Sequence, residues 1–311
     1  MRKIGITVGD PNGIGAEIII KALKKLNLSQ NDVLIFGNRK VFDFYGKLDK
    51  QYEIVEIPYN TDILPGKVTK EAGEFSYNVL VKACEYAKLN RISSIITAPV
   101  AKSAIHLAGH KYNGQTEILE KFLSHNGQKA EMLFVANNFR VLLLTRHCAL
   151  KDINITQDML LNKIKNLNEF FETKLKISKP KFALCSLNPH AGESGILGQD
   201  EIEILIPAVV NLQKLGINIT EPKPADTLFV NAAKEYFENK ESTYDCYIAC
   251  YHDQGLIPIK TVAGSKTVNM TIGLDVIRTS PGHGTAFDIV GKNIADETGM
   301  IEAIKMAMLT K

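Results

Sequence analysis

Runs of about five apolar residues alternate with longer amphipathic stretches along the whole chain. A run that short, bounded by turn residues, suits a buried strand, and the stretches between suit helices that cover it. The pattern predicts repeated β-α units on a mostly parallel sheet. Strands are expected near residues 3–8, 33–36, 92–97, 132–136, 141–145, 182–187 and 247–251. The clearest helix starts after Thr156, an N-capping residue type, and carries Leu160, Ile164, Leu167 and Phe171 on one stripe. Another follows Thr116, turns Ile118, Phe122 and Leu123 inward, and stops at Asn126-Gly127. The runs 132–136 and 141–145, joined by Asn137-Asn138-Phe139-Arg140, read as an antiparallel hairpin inserted into the parallel pattern, so a mixed sheet is expected.

A chain of 311 residues, 45% hydrophobic and 23% charged, is globular and large enough for two lobes. No Pro- or Ser-rich linker separates them, so two lobes must be joined by chain crossings. The expected division is 1–130 with 270–311 as one α/β lobe and 131–269 as the other. A net charge of +3 and a pI near 8.4, without basic blocks, interleaved aromatics or tryptophan, give little support for nucleic-acid binding. A mildly basic pocket for a phosphorylated small molecule fits them equally well. The apolar start at Ile4 is ended by Gly9-Asp10-Pro11 before it reaches signal-peptide length, and no run approaches the ~18 residues that span a bilayer. A soluble, cytoplasmic protein is expected. The five cysteines, odd in number and without a C-x-x-C pair, fit a reducing compartment.

Three histidines follow expected strands: His147, His190 and His252. The carboxyl ends of parallel strands form the ligand crevice of an open α/β sheet, where three imidazoles are placed to hold one metal ion. A lone histidine in such a place is more often a hydrogen-bonding loop residue. The surroundings of two of them, Asn188-Pro189-His190-Ala191-Gly192-Glu193 and Tyr251-His252-Asp253-Gln254-Gly255, combine turn formers with polar groups and point to shaped loops.

Other segments carry two readings each. Gly9-Asp10-Pro11-Asn12-Gly13-Ile14-Gly15 opens a helix and is either an anion cradle or a strand-to-helix turn. It is not a dinucleotide fingerprint, because Ile18 stands where glycine or alanine is required. Lys102 leaves the strand ending at Thr97, while Lys260, Asn269 and Arg278 follow the His252 loop. As a group they suit a phosphate and a carboxylate; singly they are surface cations and polar groups. The Gly-rich stretch from Pro281 to Asp288 either closes over a nucleotide or is an ordinary turn.

The strings ITVGDPNGIGAE, TAPVAK, NGQTE, LNPHAGE, PADTLF, YHDQG and VNMTIGLDVIRTSPGHGTAFDI occur in this order from position 6 to 289. In this the chain resembles the 4-hydroxythreonine-4-phosphate dehydrogenase family of pyridoxal-phosphate biosynthesis. Its N-terminal glycine loop and HGTA tail are also similar to the isocitrate and isopropylmalate dehydrogenase group. The resemblance implies that group's two-lobed α/β/α fold, with the active site in the cleft between lobes at a homodimer interface. It implies metal binding by His147, His190 and His252, completed across the dimer. Substrate contacts fall on Gln115, Thr116, Lys260, Asn269 and Arg278, with Asp226 a polar partner in catalysis. Gln115 stands where the family commonly has histidine, so an acid or base role there is lost.

The chemistry implied is oxidation of a secondary alcohol by NAD or NADP with a divalent ion (zinc, magnesium or cobalt), followed by decarboxylation of the β-keto acid. Lys102 is a candidate proton relay. His283, Gly284, Thr285 and Asp288 are the candidate cofactor residues. The expected substrate is a phosphorylated amino acid. Rival expectations are a sister dehydrogenase of a 4-phospho-threonate or -erythronate, and a non-redox acyl- or phosphotransferase or metabolite-binding protein on the same architecture.

Overall fold

The computed structural model describes residues 2–125 and 127–310; Met1, Asn126 and Lys311, and with them the expected Asn126 helix stop, lie outside the described residues. The chain forms two compact units, Met1–Ala130 with Val268–Lys311, and Glu131–Thr267. The first unit begins with β1 (Lys3–Thr7), α1 (Gly15–Leu26), β2 (Val33–Gly37), α2 (Arg39–Tyr45), β3 (Ile54–Glu56) and α3 (Lys70–Lys88). It continues with β4 (Ile92–Thr97), α4 (Lys102–Leu107) and α5 (Gln115–Leu123). The second holds β5 (Glu131–Ala136), β6 (Phe139–Leu143), α6 (Gln157–Thr173), β7 (Lys181–Leu184) and α7 (Ile206–Lys214). After these come β8 (Asn218–Ile219), α8 (Ala225–Phe237), β9 (Cys246–Ala249) and α9 (His252–Ala263). The chain then returns to the first unit with β10 (Val268–Ile272), β11 (Ile277–Pro281) and α10 (Thr298–Leu309).

Within the first unit the strand order is β3-β2-β1-β4-β11-β10, parallel except for the β10–β11 pair. Its core is built from strand residues with no exposure, such as Ile4, Ile6, Ile35 and Ile96, against Ile18, Val79 and Ile304 of the covering helices. Within the second the order is β5-β6-β9-β7-β8, with β5 and β6 antiparallel and the rest parallel. The mixed sheet expected from the apolar pattern is therefore present, with two antiparallel pairs.

Local chemistry explains most boundaries. Thr156 caps α6 by accepting from the Met159 amide at 3.1 Å, and Leu160, Ile164, Leu167 and Phe171 are buried as their spacing requires. The β5–β6 hairpin is tighter than expected: Ala136 pairs with Phe139, so only Asn137 and Asn138 form the turn, and Asn137 takes the positive φ of 53° that such turns demand. The ladders of β7 and β9 stop at Leu184 and Ala249, short of the expected ends. His252 is the first residue of α9 and not part of a loop. The helix expected after Thr116 starts at Gln115 and ends at Leu123. Strands β10 and β11 were not expected, because their alternate positions are polar: Asn269, Thr271, Arg278 and Ser280 share one face. A search for apolar runs passes over such strands.

Candidate active site

All three predicted metal-binding histidines belong to the second unit. His147 and His252 face each other with ring centroids 5.4 Å apart and line one cavity of about 330 Å³ with Arg146, Cys148, Tyr251 and Asp253. Asp253 Oδ1 lies 2.7 Å from His252 Nδ1. A carboxylate only accepts, so Nδ1 carries the proton and the Nε2 lone pair is left available, the state in which an imidazole ligates a metal. Two such imidazoles supply part of a divalent-ion ligand set. His190 does not line this cavity; its side chain is 69% exposed, with Nδ1 3.8 Å from a Glu193 oxygen. Among the described residues no three His, Cys, Asp or Glu side chains converge. Two of the three predicted ligands are thus brought together within the chain.

The turn that carries His190 has an unusual backbone. His190, Ala191, Gly192, Glu193 and Ser194 all have φ between 44° and 75°. Such left-handed stretches cost about 1–2 kcal/mol for each residue bearing a Cβ, so something must hold this one. Glu201, 1% exposed, does so: Oε1 accepts from the Leu187 and Asn188 amides at 2.8 Å each, and Oε2 from Asn188 Nδ2 at 3.0 Å. A Cβ at position 192 would lie 2.7 Å from Glu201 Oε2, so glycine is required there for space as well as for its φ. Sequence reasoning did not single out Glu201; its one signal is an acid at the head of the apolar stretch that enters α7.

In the first unit the end of β4 gathers the polar residues. Arg278, on β11 and 4% exposed, donates from Nε and Nη2 to Thr97 Oγ1 at 2.8 and 2.6 Å. No carboxylate pairs with it among the described residues, and burial pushes its pKa down to about 10, which leaves it charged at neutral pH. Asn269 and Thr271 share its sheet face, and Asn269 Oδ1 and Thr271 Oγ1 are buried without hydrogen-bond partners. On the next residue of β4's end, the Ala98 carbonyl accepts from Gln115 Nε2 at 3.3 Å. Thr116 is buried beside it in α5, and Lys102 opens α4, exposed. Lys260 and Asp226 are exposed residues of α9 and α8 in the second unit.

The glycine-rich start resolves into a packing turn. The Asn12 amide donates to Asp10 Oδ1 at 2.8 Å, Gly13 to the Asp10 carbonyl at 3.0 Å, and Ile14 to the Thr285 carbonyl at 3.2 Å. The amides of Asn12, Gly13 and Ile14 are committed internally. A Cβ on Gly13 would sit 3.2 Å from Thr285 Cβ, so this turn is the floor on which the 281–288 loop rests. In that loop His283 Nδ1 lies 3.0 Å from the Gly284 carbonyl and therefore donates, leaving Nε2 a buried acceptor with no partner. Gly284 and Asp288 are exposed and Thr285 is half-buried. Asp10 itself is 1% exposed with Oδ2 unpartnered, and burial raises its pKa from 3.8 to about 6.

Comparison with known proteins shows the family. Residues 6–307 match the family model described as pyridoxal phosphate biosynthetic protein PdxA. A 4-hydroxythreonine-4-phosphate dehydrogenase of Sulfurihydrogenibium sp. is 38% identical, covering 100% of this chain and 99% of its own. An Oceanobacillus iheyensis protein provisionally named D-threonate 4-phosphate dehydrogenase is 36% identical over 98% of this chain and 96% of its own. The crystal structure of 4-hydroxythreonine-4-phosphate dehydrogenase from Klebsiella pneumoniae superposes with a TM-score of 0.87 at 32% identity, covering both chains completely. An isocitrate dehydrogenase from Methylococcus capsulatus, 15% identical with a TM-score of 0.50 over 99% of this chain and 85% of its own, shares the fold alone. The chain belongs to the PdxA family of pyridoxal phosphate biosynthetic proteins.

Proposed function

We propose that this protein is a 4-hydroxythreonine-4-phosphate dehydrogenase, a cytoplasmic homodimer acting in pyridoxal 5'-phosphate biosynthesis. It oxidises 4-phosphohydroxy-L-threonine to 2-amino-3-oxo-4-phosphooxybutanoate, which loses carbon dioxide to give 3-amino-2-oxopropyl phosphate. The observation that carries this reading is Arg278: a buried guanidinium without a carboxylate partner, surrounded by unfilled polar atoms, calls for an anionic ligand.

Arg278 takes one anionic end of the substrate and Lys260 the other, while Asn269 and Thr116 orient the carbon chain between them. His147, His190 and His252 hold the divalent ion, with Asp253 fixing the His252 ring. His283, Gly284, Thr285 and Asp288 hold the cofactor, His283 Nε2 offering its unfilled acceptor to a cofactor donor. When bound, NAD or NADP would supply a hydride acceptor for C3 and the divalent ion (zinc, magnesium or cobalt) a Lewis acid for the C3 hydroxyl. Lys102 relays the hydroxyl proton to solvent, and Asp226 serves as a polar partner of the substrate-contacting residues. The new ketone stands β to the carboxylate, so the electron pair of the C1–C2 bond moves toward it as carbon dioxide leaves, and a proton from solvent then adds at C2 to give the product ketone.

The test is NADH formation with 4-phosphohydroxy-L-threonine, with and without added divalent metal and chelator, run beside 4-phosphothreonate and 4-phosphoerythronate. Metal-dependent turnover fastest on the amino acid is expected. Faster turnover of a hydroxy acid would favour the sister activity named for the Oceanobacillus relative, and no reduction with any of them would leave a non-redox role on this fold.

A further inference from the structure

Seven buried side-chain polar atoms of the first unit have no hydrogen-bond partner among the described residues, and two of them, Gln115 Oε1 and Glu117 Oε2, belong to the first turn of α5. Gln115 Nε2 is engaged with the Ala98 carbonyl at 3.3 Å. Because a carbonyl only accepts, that contact fixes which end of the amide is nitrogen, and Oε1 is the end left buried without a donor. Glu117 Oε2 is likewise buried with no partner. Gly114, the N-cap of α5, has no side chain to fill the space before it: a Cβ there would lie 3.4 Å from Glu117 Oε2 and 3.7 Å from Lys102 Cε. Among the described residues Lys102 forms no ion pair with Glu117, so the carboxylate is not already neutralised. Arg278, which takes an anionic end of the ligand, hangs from Thr97, the residue before Ala98. The Arg278 guanidinium and the Gln115 amide are thus anchored to consecutive residues, Thr97 and Ala98, at the end of β4.

We infer that Glu117, with Gln115 Oε1, reads the ammonium group at C2 of the substrate and selects an amino-acid phosphate over the matching hydroxy acid. The inference rests on the dehydrogenase reading above for the identity of the ligands and adds a residue to it. An ammonium brings three donors and a positive charge to these oxygens; a hydroxyl brings one donor and its own lone pairs, and leaves at least one buried acceptor unfilled. Removing a hydrogen bond between charged partners changes affinity by about 10- to 100-fold.

The experiment is titration calorimetry of the full-length protein with zinc present, using 4-phosphohydroxy-L-threonine and 4-phosphoerythronate, on the wild type, Glu117→Gln and Gln115→Leu. The wild type should bind the amino acid at least tenfold more tightly. Glu117→Gln, which keeps shape and removes charge, should erase about tenfold or more of that ratio while leaving the hydroxy acid's Kd within a few-fold. Gln115→Leu should lower the ratio as well. Equal or tighter binding of the hydroxy acid by the wild type, an equal loss for both ligands in Glu117→Gln, or binding of neither ligand would overturn the inference. Because binding is read and not turnover, tight and selective binding without NADH formation would sink the dehydrogenase reading and leave the ammonium site standing.

Discussion

Asp10 is held in an environment that opposes its charge. Its carboxyl is 1% exposed, accepts from the Asn12 amide, and has an oxygen with no donor. Burial, the largest cause, raises its pKa from 3.8 to about 6. A carboxyl with a raised folded-state pKa favours folding in its protonated form, so the contribution is fully present below pH 3.8 and is lost as pH rises through about 6. The loss amounts to about 3 kcal/mol. Asp10→Asn keeps the acceptor that Asn12 uses and never ionises. Denaturant unfolding at a series of pH values should therefore show stability falling between pH 4 and 7 relative to Asp10→Asn, and parallel curves for the two proteins would refute it. Arg278 shows the same opposition with the other sign, since full burial lowers its pKa. Asp10 follows the carboxyl end of β1 and the Arg278 side chain reaches Thr97 at the carboxyl end of β4, where a ligand can repay the strain that folding leaves.

At the scale of elements, the turn from Pro189 to Gly195 depends on a side chain outside it. Its left-handed residues are held because Glu201 ties the approach to the turn at two backbone amides and one side-chain amide. Glu201→Ala would leave those donors buried and unpaired. Unfolding free energy should drop by about 3 kcal/mol or more, and zinc should bind more weakly because His190 loses its placement. Unchanged zinc affinity in equilibrium titration would show that His190 is not held through Glu201. The 281–288 loop shows the same dependence in milder form, since its Thr285 carbonyl is anchored by the Ile14 amide of the N-terminal turn. In each case a segment proposed to bind a ligand borrows order from a neighbouring one.

For the whole molecule, the second unit is one continuous stretch, Glu131–Thr267, while the first is assembled from both ends of the chain. The facing pair His147 and His252 lies entirely within the second unit. Mixing His147→Ala subunits with His252→Ala subunits should therefore restore no NADH-forming activity, because every cavity in the mixture lacks one ring of the pair. Recovery would place the two working rings on different chains of the proposed homodimer. No helix among the described residues is long and apolar enough to cross a membrane, and all five cysteines are free.

Periodicity alone was enough for the α/β class, the capped α6 and the hairpin between β5 and β6, because each depends on neighbours within a few residues. The string order from position 6 to 289 was enough for the family. Burial of Arg278 and its link to Thr97, the pairing of His147 with His252, the clamp by Glu201 and the empty acceptor of Glu117 were not legible. Strands β10 and β11 escaped for the same reason: their polar face is hidden by residues distant in sequence, and one chain position carries no record of which others will exclude water from it. Residue type and spacing determine what each segment can become locally. Only the tertiary structure decides which polar atoms are buried without partners, because desolvation is a property of the packed neighbourhood, and those atoms mark the candidate site.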